Sequence, residues 1–126
     1  MGRKAARPTR YGLFARNVRG LTLHNVRFET QNPDRRPAVI LDHVSDVTIN
    51  GLAAQAHADA ESWLRFIATR DVLVTAARVL TPAAVALRVE GAESAGITVD
   101  GGDLSKAAKA IDFADGATAG AVKWRG

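Results

Sequence analysis

Apolar residues along this chain fall in short alternating runs, and the runs return at a fixed distance. In "GLTLHNVRFE", residues 20–29, they are Leu21, Leu23, Val26 and Phe28. The pair Leu21-Thr-Leu23 recurs as Val47-Thr-Ile49, Val72-Leu-Val74, Ile97-Thr-Val99 and Val122-Lys-Trp124, at steps of 26, 25, 25 and 25 residues. A second series, Phe28, Ala54, Val79 and Leu104, steps by 26, 25 and 25; a third, Ala15, Leu41, Phe66, Val89 and Phe113, steps by 26, 25, 23 and 24. Three phase-locked series cannot come from one hairpin. Self-similarity over about 20 to 50 residues marks a solenoid or a propeller.

The alternation has period two and the runs are rich in β-branched residues, so the units are strands and not helix pairs. Only about three residues ("VRG", "VSD", "TRD") join the Ala15-type strand to the Leu21-type strand. A propeller blade needs antiparallel hairpins and a longer unit. Short strands joined by tight corners fit an all-β fold, a parallel β-helix of about four to five coils with three strands per coil. Equivalent residues of successive coils then stack about 4.8 Å apart. The segments of varying length, "TQNPDRRPA", "QAHADAESW", "LTPAAVA" and "SKAAKA", are expected to be loops on one side of the stack. Residues 1–10 read as a basic, flexible arm and residues 11–126 as the coils.

The corners carry their own signal. After each Leu21-type strand comes a polar residue and then a small or left-handed-tolerant one: His24-Asn25, Asn50-Gly51, Thr75-Ala76 and Asp100-Gly101. A two-residue corner needs one residue near positive φ, which glycine adopts freely and asparagine tolerates. Ala76 breaks the pattern and predicts either strain or a different corner in its coil. Pro8, Pro33, Pro37 and Pro82 all fall outside the expected strands, as the loss of a ladder donor requires.

Composition narrows the function classes. The chain has 126 residues, is 47% hydrophobic and 24% charged, which suits one globular domain and not a disordered one. With no cysteine there is neither a disulfide framework nor a thiolate metal site. "MGRKAARPTR" lacks an apolar core and does not read as a signal peptide, and no run of about 20 apolar residues suggests a membrane span. The net charge of +4 is uneven: residues 1–36 hold nine Arg or Lys against Glu29 and Asp34, and the rest is net acidic. Such an arm could hold a polyanion, but no aromatics interleave its basic residues, which counts against nucleic acid.

"YGLFARNVRGLTLHNVRFETQNPDRRPAVILDHVSDVTINGL" and "ALRVEGAESAGITVDGGDLSKAAKAIDFADG" resemble the C-terminal coils of bacterial glycoside hydrolase family 28. These are polygalacturonase-like enzymes of the pectin-lyase-like superfamily. The resemblance covers nearly everything from Tyr11 onward and implies a right-handed coil and a place as one part of a longer helix. It further implies inverting hydrolysis of galacturonan-type bonds, an acidic pectin-like polysaccharide as partner, and an extracellular or periplasmic setting. The family's catalytic signatures are Asn-Thr-Asp, Asp-Asp, Gly-His-Gly and Arg-x-Lys, and none of the four occurs here. No catalytic residue is therefore carried over. The chain reads as a non-catalytic portion, inactive by itself, whose partners are upstream coils or a second copy at its open edges.

Candidate binding residues sit in two loops. In "NPDRRP", Arg35 and Arg36 could grip carboxylates bidentately, with Asp34 partly neutralising them. In "QAHADAESW", His57 and Trp63 could line a sugar groove, although Trp63 directly precedes a strand and could equally cover the core. Asp42-His43 suggests an acid–imidazole pair, yet adjacent strand residues point to opposite faces, so a corner or solvent role is expected. His24 reads as a corner residue, Trp124 as core or end cover, and "DGGD" at 100–103 as a corner. No histidine spacing supports a metal, and no cofactor is implied.

Overall fold

A computed structural model of the chain describes residues 12–32 and 35–125. The basic arm lies outside the described residues. The first coil is β1 (Leu13–Arg16), β2 (Arg19–His24) and β3 (Arg27–Phe28); the second is β4 (Val39–Asp42), β5 (Ser45–Asn50) and β6 (Ala53–Ala54). The third is β7 (Leu64–Ile67), β8 (Arg70–Thr75) and β9 (Arg78–Val79). Then come β10 (Ala83–Glu90), β11 (Ala95–Asp100), β12 (Ala107–Ala114), a 3-10 turn at Ala119–Ala121, and β13 (Val122–Arg125). Strands equivalent by sequence stack in parallel into three sheets, β1-β4-β7-β10-β12, β2-β5-β8-β11-β13 and β3-β6-β9. The chain is a β-solenoid of about four coils.

The register is the one the repeat requires. Ala15, Leu41, Phe66, Val89 and Phe113 form one continuous ladder. Leu21, Val47, Val72, Ile97 and Val122 form another. Phe28, Ala54 and Val79 form the third, which an isolated bridge from Arg78 to Asp103 extends by one rung. Each inward ladder is a column of apolar side chains. In the middle coils Leu41, Phe66, Val89 and Ile49 are all 0% exposed, each burial worth about 1.5–3 kcal/mol. At the two ends the same columns are only partly buried, at Ala15, Leu21, Leu23 and Phe28 on one side and Phe113, Val122, Trp124 and Leu104 on the other.

One expectation needs correction, and one pair of alternatives, at Ala76, is decided in favour of strain. "LTPAAVA" and "SKAAKA" are not wholly loops: β10 and β12 run for 8 residues each and pair from Ala83↔Ala107 onward. These two connections are the short ones, and a chain with few residues to spend between rungs satisfies its backbone groups by pairing. The Ala76 corner is not a different corner. Ala76 takes φ 54, in line with Asn25 at 53, Gly51 at 77 and Gly101 at 68. The ladder on either side dictates the conformation and the alanine bears the strain. A second column of left-handed residues, Asn17, His43, Ala68 and Gly91, turns the chain from the first sheet to the second.

Candidate functional site

Strand alternation sends every second residue of the first sheet outward. By register, one outward column is Phe14, Ile40, Arg65, Arg88 and Asp112, and its neighbour is Arg16, Asp42, Ile67, Glu90 and Ala114. Opposite charges therefore meet across rungs. Glu90, only 5% exposed, accepts from Arg65 Nε at 2.6 Å and Nη2 at 3.1 Å, and from Arg88 Nε at 2.8 Å. Arg65 also pairs with Glu61 at 3.1 Å, and Lys109 with Asp112 at 2.7 Å. Asp42, 7% exposed, accepts from Arg16 Nε at 3.0 Å and Nη2 at 2.9 Å. The Arg16 guanidinium lies 5.7 Å from the Phe14 ring centre.

Asp42 and His43 do meet: Asp42 Oδ1 and His43 Nδ1 are 2.6 Å apart. The expectation of opposite faces fails because His43 stands at φ 56, where strand alternation stops and the imidazole folds back on its neighbour. His43 is at a corner and its side chain is 60% exposed, as the corner reading expects.

The electrostatics of this face point away from acid catalysis. The Arg65 hydrogen bond, reinforced by Arg88, holds the Glu90 carboxyl below the usual range despite its burial. Burial pushes the Asp42 carboxyl up, but His43 and Arg16 outweigh it and the net shift is down. Asp42 and Glu90 sit two rungs apart on one ladder, about 10 Å at the backbone. That separation is near the range of an inverting glycosidase, but such a site needs one carboxyl kept protonated by a raised pKa. Here both are held ionised.

The loops that enter β4 and β7 flank this face. Arg35 is exposed and Arg36 half-buried in the first, His57 is half-buried in the second, and Asp34 lies outside the described residues. Arg35, Arg36 and His57 therefore occupy loops of successive coils. His57 is committed to its own turn, with Nδ1 accepting from the Asp59 N–H at 3.0 Å and its carbonyl from the Ala60 N–H at 3.0 Å. Trp63 is 1% exposed and belongs to the core, so its ring cannot stack on a sugar. Its position one residue before a strand, on the inner side of the coil entry, decides this. Its Nε1, like Ser62 Oγ, is buried without a hydrogen-bond partner among the described residues.

Sequence reasoning passed over a second region. Along the corner between the first two sheets runs a trough made of three adjoining depressions. One, of about 530 Å³, is lined by Arg19, Ser45, Asp46, Arg70 and Asp71. The next, of about 280 Å³, shares Ser45 and Arg70 and adds His43 and Glu93. The third, of about 350 Å³, lies at Gly96, Thr98 and Lys123. Register could have revealed it, because Arg19, Ser45, Arg70 and Ala95 form one ladder two residues before the Leu21 series. A separate depression of about 310 Å³ opens at one end of the stack, beside Gly102, Leu104 and Trp124. Among the described residues no three His, Asp or Glu side chains gather to hold a metal, and no helix is long and apolar enough to cross a membrane.

Comparison with protein-family models, with curated proteins and with solved structures finds no match to this chain.

Proposed function

We propose that these coils are the non-catalytic, C-terminal portion of a carbohydrate-active β-helix enzyme of the kind found in glycoside hydrolase family 28. In such an enzyme they extend the hydrophobic column, and the loops bearing Arg35, Arg36 and His57 form one rim of a groove for an acidic, pectin-type polysaccharide outside the cell or in the periplasm. The observation that carries the reading is the partial burial of the core columns in the first and last described coils. Inward residues that are fully buried in the middle coils are only half covered at Leu21, Leu23 and Phe28, and again at Phe113, Val122 and Trp124. Stacking a further coil on either side buries apolar surface at about 25 cal/mol per Å² and extends the ladders, whose outermost strands have one neighbour each among the described residues.

The paired, ionised state of Asp42 and Glu90 supports the non-catalytic part of the reading, since neither can protonate a leaving group. The chain alone is expected to release no reducing ends from polygalacturonate. Sustained turnover by the purified chain overturns this.

The same partial burial favours one other reading, a stand-alone module that pairs its edges with itself or with another chain. Multi-angle light scattering separates the two. A module gives a defined oligomer, whereas coils taken from a longer helix give aggregate or unfolded chain.

A further inference from the structure

Charged side chains on this protein fall into two groups. On the face of the first sheet they neutralise one another: Arg16 with Asp42, Arg65 and Arg88 with Glu90, Lys109 with Asp112. Along the corner trough they do not. Among the described residues, Arg19, Asp46, Arg70, Asp71, Glu93 and Lys123 make no side-chain hydrogen bond or ion pair. All six are exposed, so water solvates them in the free protein, and a ligand can replace that water in a way that the paired face does not allow.

We propose that this trough binds a linear, uncharged glycan laid along the axis of the stack. The lining is balanced, with three cations (Arg19, Arg70, Lys123) facing three carboxylates (Asp46, Asp71, Glu93). A polyanion such as a polyuronate or a nucleic acid meets as much repulsion as attraction there. Vicinal hydroxyls suit the lining because each can donate to a carboxylate and accept from a guanidinium or from Ser45.

The spacing suits a polymer of sugars. Lining residues repeat at the rung distance of about 4.8 Å, on the scale of one hexose ring, and the trough from the Arg19 rung to the Lys123 rung extends about 19 Å. A peptide fits less well. The trough crosses the strands, so it presents no free strand edge for backbone pairing. Asp46 and Asp71 stand at φ 60 and 56, held in the left-handed region by the coil, so the backbone that carries both carboxylates is set by the stack. This site is made only of residues in this chain. It does not depend on the enzyme reading above and lies away from the loops of Arg35, Arg36 and His57.

The test is a ¹⁵N-resolved NMR titration of the full chain with cellohexaose, xylohexaose and mannohexaose, and with hexagalacturonate as the charged comparator. At least one neutral hexaose is expected to give saturable shifts centred on Arg19, Ser45, Asp46, Arg70 and Asp71, unaffected by added NaCl. Arg70→Ala, and Asp46→Asn with Asp71→Asn (asparagine keeps the left-handed backbone), should each weaken that binding tenfold or more. The proposal is overturned if none of the three neutral sugars gives saturable shifts up to about 10 mM. It is equally overturned if the shifts map to another face, or if hexagalacturonate binds the trough more tightly and loses affinity with salt. The titration of the unaltered chain decides the matter even if a variant misfolds.

Discussion

Replacing Glu90 with glutamine tests whether the outer face of the first sheet is held by its ion network. Glu90 is 5% exposed and receives three hydrogen bonds, at 2.6, 3.1 and 2.8 Å, from two guanidiniums. Glutamine keeps the shape but carries no charge and turns an amide donor toward one arginine. Hydrogen bonds to charged groups are worth about 1.5–3 kcal/mol each, and breaking a fully buried pair costs about 3–5 kcal/mol. Arg65 and Arg88 keep 30% and 29% of their side-chain surface in water, so solvent recovers part of that loss. The expected cost is about 2–3 kcal/mol. For 126 residues the unfolding entropy is about 0.26 kcal/mol/K, so the melting midpoint should fall by about 8–11 °C.

The pH dependence fixes the cause. Because the folded pKa of Glu90 is lowered, its contribution is complete above the ordinary carboxyl pKa of about 4.3 and disappears as pH falls through the lower folded value. Urea unfolding followed by circular dichroism should show the full gap between the two proteins at pH 7 and a shrinking gap below about pH 4. In a double-mutant cycle with Arg65→Gln the coupling should be about 1 kcal/mol or more. A gap under about 0.5 kcal/mol at pH 7, or one that survives unchanged at pH 3, refutes the argument.

Ala76→Gly should stabilise the chain. Left-handed φ costs an alanine about 1–2 kcal/mol, the glycine returns about 0.4–1 kcal/mol of that as unfolded-state freedom, and Ala76 is exposed, so the net gain is about 0.5–1 kcal/mol and a midpoint about 2–4 °C higher. Ala95→Gly, in β11 and not among the left-handed residues, should lower stability in the same assay. Gly102→Ala should be among the costliest corner changes, because Gly102 stands at φ 90 and an added Cβ would strike the backbone carbonyl of Ala77. A loss of less than about 1 kcal/mol there would mean that the corner yields more readily than its ladder suggests.

The fold was legible in the sequence because a solenoid writes each long-range contact as a fixed distance along the chain. The step from Leu41 to Phe66 is also a hydrogen-bonded rung, so counting 25 residues gave register, sheet membership and core columns together. Handedness of patterning did not reach the corners in the same way. Whether Asp42 and His43 diverge or touch depends on one φ angle, and His43, unlike glycine, does not advertise a left-handed backbone. Trp63 was ambiguous for a related reason: it is the residue at which loop becomes coil, and only the path of the chain sends the indole inward.

The charged network of Arg65, Arg88 and Glu90 was implicit in the repeat, since each flanks a core position, but partner choice among long flexible side chains is settled in three dimensions. The repeat places the residues of the trough in one column, but the hollow between them belongs to the tertiary structure. Its charged residues are ordinary polar positions on five successive rungs, and nothing in their local sequence distinguishes the unpaired Arg70 from the paired Arg65. Periodic burial is dictated locally and repeats, so the chain alone determined it. Concavity and unpaired charge arise from what neighbouring coils leave uncovered, and only the stacked structure could decide them.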